Sequence, residues 1–167
     1  YSIPSFPMGV IDGVTPPVKD DKWASAVYND LQKPSEVQLQ ASAELIAGGN
    51  AISCTADITS SEEGSGKIQF WIVESGIVAL QKMPDGSVQQ DYVHNNVFRA
   101  QVFPMRGNPI AFSRDGATAN GTIEVRERWS LENVSVVAFV SDNNNIVQQV
   151  VKVPVKLTSD EPEAPAE

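Results

Sequence analysis

Imidazole and thiol are the side chains that most often carry nucleophilic and redox chemistry, and this 167-residue chain has one of each, His94 and Cys54. A nucleophile needs a base held beside it. The order Tyr92-Val93-His94-Asn95-Asn96 brings no Ser, Cys or acid to His94 in close sequence. It reads as a hydrogen-bonded loop or core residue, with a partner from elsewhere in the fold left open. Cys54 alternates with Ile52, Ala56 and Ile58, the pattern of a small buried hydrophobe, and nothing nearby is electropositive enough to make a reactive thiolate. A lone Cys forms no internal disulfide and leaves the compartment undecided. One His and one Cys also argue against a metal site built from soft ligands.

Three further patterns fall short of a ligand site. Gly64-Ser65-Gly66-Lys67 resembles the end of a phosphate loop, but Ser61 stands where the first Gly belongs and Ile68 follows the Lys. It reads as a flexible hairpin tip. Asp142-Asn143-Asn144-Asn145 offers oxygens for calcium without the Gly and closing Glu of a helix-loop-helix site, and Asn-rich turns tolerate positive φ without any ion. Glu62 and Glu63 form a second acidic tip. Paired carboxylates for glycoside chemistry need a fixed separation across a cleft, which sequence does not reveal. The expectation is a protein without catalytic residues, metal or cofactor.

The charge balance narrows the partners. Acids outnumber bases by 21 to 12, for a net charge of −9, so the basic face that nucleic acid requires is not expected. Asp160, Glu161, Glu163 and Glu167 crowd into residues 158–167, which hold no large apolar side chain; that composition predicts a disordered acidic tail. The longest apolar runs, such as 134–140, fall far below the ~20 residues that cross a bilayer as a helix. No basic start followed by an apolar core opens the chain, so an exported protein beginning this way would be mature, trimmed or a fragment.

Two zones would position these residues. In residues 1–33, Pro4, Pro7, Pro16 and Pro17 break the chain into short pieces around a small apolar run, Met8-Gly9-Val10-Ile11. A helix follows, capped by Asp20 or Asp21, with Trp23, Val27 and Leu31 on one face and Pro34 ending it. That stripe is expected to be buried against a partly missing domain or a neighbouring chain, because exposed it leaves an unusual apolar patch. Residues 34–157 read as strands. Val37 to Leu45 and Ile52 to Ile58 alternate with period two across the Gly48-Gly49-Asn50 turn. After a loop over 60–66 come Lys67 to Glu74 and, beyond Gly76, Ile77 to Gln81. The turn Pro84-Asp85-Gly86 leads to a partly extended Tyr92 to Phe103. Ile123 and Val125 alternate next, and Val134 to Ser141 and Ile146 to Lys156 form a hairpin. Seven or eight strands at this spacing predict an immunoglobulin-like antiparallel β-sandwich, with Leu39, Cys54, Phe70, Val136 and Val151 facing inward. No internal repeat is present.

Several spaced motifs carry a resemblance. The segment from Asp91 to Ala100 (DYVHNNVFRA), the stretch Phe70 to Gln81 (FWIVESGIVALQ), Trp129 to Val140 (WSLENVSVVAFV) and Gln148 together resemble the Omp28-like outer-membrane lipoproteins of Bacteroidetes. The opening Tyr1 to Met8 resembles the approach to the cis-proline of the thioredoxin-like domain that precedes the sandwich in that family. The resemblance implies that residues 1–33 are the last strand and helix of such a domain, with a cis peptide before Pro7. It places the chain at the outer membrane, the cell surface or the periplasmic face, held only by an upstream lipid anchor that is not in this sequence. Its implied role is a non-catalytic accessory or binding module contacting envelope or outer-membrane proteins, a β-barrel assembly among them, or a glycan. The alternative is the C-terminal part of a thioredoxin-fold thiol-disulfide oxidoreductase. This sequence has no C-x-x-C, and disulfide exchange needs an attacking thiolate.

Tyr92, His94, Asn95 and Arg99 form the most distinctive cluster. Two readings compete: recognition of a ligand, or bracing of a long crossing between sheets through side-chain-to-backbone hydrogen bonds. Bracing is the expectation adopted here.

Overall fold

The computed structural model describes residues 7–14 and 16–157. The Tyr1 to Phe6 approach, the peptide preceding Pro7 and the acidic tail at 158–167 lie outside the described residues.

The protein is mostly β, an antiparallel sandwich in which period-two alternation sets which side chains meet. β1 (Met8–Gly9) and β2 (Val18–Lys19) form a small pair beside α1 (Asp20–Asp30). One face of the sandwich is a three-stranded sheet. In it β4 (Ala51–Ser60) lies between β3 (Val37–Leu45) and β10 (Ala117–Glu124). The other face is built on β5 (Gly64–Glu74). Along one edge β5 pairs with β11 (Val134–Ser141), and β11 pairs with β12 (Val147–Pro154). Along its other edge β5 takes two short partners in turn, β9 (Asn108–Phe112) opposite 64–68 and β8 (Val97–Gln101) opposite 71–74. After β12, Lys156 crosses to the first sheet, where its N–H donates to Ala43 O at 2.8 Å and its carbonyl accepts from Leu45 N at 2.9 Å. That parallel bridge joins the two sheets at one edge.

Ile52, Cys54, Ala56 and Ile58 on β4 meet Ile68, Phe70 and Ile72 on β5 and Val136, Ala138 and Val140 on β11, all fully buried. Each large aliphatic or aromatic side chain there contributes about 1.5–3 kcal/mol relative to exposure. Of the five residues expected inside, Cys54, Phe70 and Val136 are fully buried, while Leu39 and Val151 are half-buried against the same core.

Several local expectations need correction. Residues 34–157 hold ten strands, not seven or eight. The loop over 60–66 is shorter than expected, because β5 begins at Gly64. A Cβ on Gly66 would sit 2.1 Å from Ser141 O, so glycine there reflects close strand approach, not a mobile tip. The segment 92–103 divides into the end of β7 (Val88–His94) and β8, and β9 carried too little alternation to be foreseen. Ile77 to Gln81 is part of β6 (Ile77–Lys82), which pairs only with β7, so the two form a ribbon apart from the main sheets. Gly76 (φ 74°) and Asn96 (φ 55°) lie at its base, on its two chains.

Helix α1 is capped by Lys19, with no side-chain cap bond, and Asp20 and Asp21 fall in its first turn. It ends at Asp30 and not at Pro34, the cap N–H of Leu31 reaching Val27 O. None of its residues is buried within this chain, and Leu31 is 76% exposed. Trp23 leans on the β1–β2 pair, donating from Nε1 to Val18 O at 3.0 Å, over the space a Cβ on Gly9 would fill. The segment meets the sandwich through Val147 N–H, which donates to Asp12 O at 2.8 Å.

Candidate interaction surface

The structure does not bring the four singled-out residues into one concavity. Tyr92 and His94, two apart on β7, share one side of the ribbon with ring centroids 4.8 Å apart. Asn95 sits at the ribbon base, where its Oδ1 accepts the Gly76 N–H at 3.1 Å. Arg99 lies on β8 in the sandwich, its Nε 3.1 Å from Glu74 Oε2. That Nε–H does not point straight at the oxygen, which has no other partner, so the contact is an ion pair more than a hydrogen bond. Glu74 Oε1 accepts from Ser130 N at 3.0 Å, and Arg99 donates to Arg128 O at 3.2 Å. The pair thus holds the 126–130 turn that puts Trp129 in the core.

The strongest brace is one the sequence did not advertise. β8 and β9 share an edge of β5, and between them the chain must leave that edge. Gln69 stands opposite the gap, buried at 3% exposure. Its Nε2 donates to Phe103 O (3.1 Å) and Pro104 O (2.9 Å), while its Oε1 accepts from Phe103 N (3.0 Å) and Phe70 N (3.1 Å). One amide therefore satisfies backbone groups that the interrupted ladder leaves over. The clamp fixes the Pro104–Gly107 turn, closed by the Gly107 N–H to Pro104 O bond at 2.7 Å.

On the outer face of the five-stranded sheet, Trp71 packs edge-on against Phe98 and Phe139, with centroids 5.5 and 4.9 Å apart. Trp71 is 41% and Phe98 52% exposed, and Val150, paired with Phe139 across β11 and β12, is half exposed. A groove of about 930 Å³ continues this face. Trp71 and Phe139 line its floor, Val10 and Val14 one wall, Met105 and Arg106 on the clamped turn another, and the β11–β12 hairpin its end. Outward-facing aromatics alternating with buried core residues were visible in FWIVE and VVAFV, but their joint exposure depends on strand order.

The groups weighed for chemistry in the sequence have structural surroundings. Burial pushes the Cys54 thiol up to about 12, so it stays protonated and unreactive. Asp142 Oδ1 accepts from Asn144 N and Ile146 N, both at 2.8 Å, and Asn145 takes φ 66°. That carboxylate closes its own turn. Lys67 of the Gly-Ser-Gly-Lys stretch is on β5 and donates to Asn145 Oδ1 at 2.8 Å. No group of three His, Cys, Asp or Glu able to hold a metal occurs among the described residues, and among them no helix is long and apolar enough to cross a membrane.

The family model of outer membrane protein Omp28 matches residues 1–159, so the chain belongs to that family. No curated protein matches it. Among solved structures, HBP35 of Porphyromonas gingivalis shares the fold, with TM-score 0.72 and 10% identity over 99% of this chain and 58% of that one. This chain therefore spans little more than half of that protein. A β-glucosidase from Listeria innocua matches at TM-score 0.33 and 16% identity, covering 73% of this chain and 16% of its own. One from Kluyveromyces marxianus matches at 0.34 and 12%, covering 78% and 17%. Similarity this low bears on neither fold nor activity.

Proposed function

We propose that this Omp28-family protein is a non-catalytic binding module of an envelope lipoprotein, and that it holds another envelope protein on the outer face of its five-stranded sheet. The observation that carries this reading is the Trp71–Phe98–Phe139 cluster, left open on a rigid sheet where core packing does not require it. Aromatic side chains, Met and Arg are enriched at protein interfaces, where buried aromatics supply most of the binding energy. Phe98, Met105 and Arg106 border that cluster or its groove. A sheet also presents such groups with little loss of side-chain freedom on binding.

Substituting Phe98→Glu puts a charge into the patch without touching the core. In native electrophoresis of gently solubilised outer membranes, the wild-type protein migrates in a complex larger than itself. Phe98→Glu releases it as the free protein, while Gln40→Glu on the opposite sheet leaves the complex whole. Wild-type protein that migrates alone, or a complex indifferent to Phe98→Glu, contradicts the proposal.

A further inference from the structure

We infer that the groove beside Trp71 takes an acidic, extended peptide segment carrying an apolar anchor residue, supplied by the envelope partner. This rests on the reading above and names the chemistry of the partner's contact. The protein carries a net charge of −9, yet no Asp or Glu lines the groove, while Lys67 and Arg106 do. Neither is neutralised: Lys67 meets only the amide of Asn145, and Arg106 has no hydrogen-bond or ion-pair partner among the described residues. Two cations with no acidic partner over an apolar floor, in a molecule of net negative charge, form a patch complementary to an anionic group attached to an apolar one.

Geometry separates a peptide from a lipid. An acyl chain gains most when its methylenes are enclosed, and this groove is half open to solvent, with the polar Ser141, Asn144 and Asn145 among its lining. Open shape, polar lining groups able to meet backbone amides and an aromatic floor for one anchoring side chain suit an extended peptide. Met105, 88% exposed on the Gln69-clamped turn, supplies a flexible wall that adapts to the anchor.

A phage library of random short peptides selected against the purified protein tests this. Selected sequences carry Asp or Glu beside Phe, Leu or Trp. Fluorescence anisotropy of a selected peptide shows binding weakened about tenfold by Arg106→Glu, a rim-charge effect that grows at low salt. Lys82→Glu, which makes the same charge change on the ribbon, leaves binding unchanged. Selection without acidic bias, or equal weakening by both substitutions, overturns the inference. Saturable binding of dodecanoate in the groove with no peptide selected also overturns it and assigns the site to a lipid. If the Phe98→Glu complex still dissociates as described above, only the groove assignment has failed; if it does not, the binding face itself is wrong.

Discussion

Replacing Arg99 by Ala removes the cation that faces Glu74, whose side chain is 6% exposed against 24% for Arg99. Oε1 keeps the Ser130 N–H, but Oε2 loses its neighbour in the interior. Breaking a buried ion pair by removing one member costs about 3–5 kcal/mol, because the remaining charge is left uncompensated. Partial exposure of Arg99 lets water take some of its place, so about 3 kcal/mol is expected. Loss of the Arg128 carbonyl contact and looser packing of Trp129 are part of that figure. Glu74→Gln/Arg99→Ala should recover much of it, since a neutral amide still accepts from Ser130 and carries no charge to strand. The double variant is expected about 1–1.5 kcal/mol below wild type. Urea unfolding followed by tryptophan fluorescence measures both, with an unchanged m-value showing that the folded and unfolded states remain comparable. A loss of about 1 kcal/mol or less for Arg99→Ala, which is the range of exposed ion pairs, would refute the buried-pair argument. So would strict additivity of the two changes.

Gln69→Leu removes the clamp on the β8–β9 crossing and takes their side-chain partner from the Phe70 and Phe103 N–H groups and from the Phe103 and Pro104 carbonyls. A loss of about 2–4 kcal/mol is expected, with hydrogen exchange at Phe103 accelerating more than at β4. Cys54, its thiol pushed up to about 12 by burial, should resist a disulfide reagent at pH 8 until denaturant is added; rapid labelling of native protein contradicts the packing. Asp12 is raised to about 6 by burial, then by its hydrogen bond to Asp30 and repulsion from it. Asp30 is lowered first by the bond to Asp12 and next by Lys33. Asp12 therefore holds its proton more tightly folded than unfolded, and its contribution, full below pH 3.8, is lost as pH rises through about 6. Asp30 works in the opposite sense, its contribution lost as pH falls through its lowered value. Protection of the Val14 amide, which donates to Ile11 O, taken relative to its intrinsic base-catalysed exchange rate, should fall above about pH 6 in wild type and show no such step in Asp12→Asn.

Alternation made the core legible: β3, β4, β5 and β11 could be placed because a slip of one residue would expose Ile58, Phe70 or Val136. The Asp142–Asn145 hairpin was equally clear from its turn residues. β9 was hidden because Asn108-Pro109-Ile110-Ala111-Phe112 is short, opens on Asn-Pro and turns only Ile110 and Phe112 toward the core, both half-buried, so it is held by pairing with β5. Side-chain ties to backbone are harder to place from sequence than core alternation, because the partners are distant in the chain. Asn95 and Arg99 do tie backbone or a buried acid, but the clamp on the crossing segment is Gln69, in a strand whose pattern gave no reason to single it out. The outer aromatic face escaped notice for a related reason. Trp71, Phe98 and Phe139 are distant in sequence, and only the order β12-β11-β5-β8 makes them neighbours.

Site-specific photo-crosslinking in living cells tests the binding face most directly. A photoreactive phenylalanine analogue at position 98 lies on the aromatic face, and at position 40 it lies exposed on the opposite sheet. On illumination, position 98 should form a discrete adduct with an envelope protein that is lost on Trp71→Ala, and position 40 should form none. Adducts of equal yield from both positions, or none from position 98, would contradict the account.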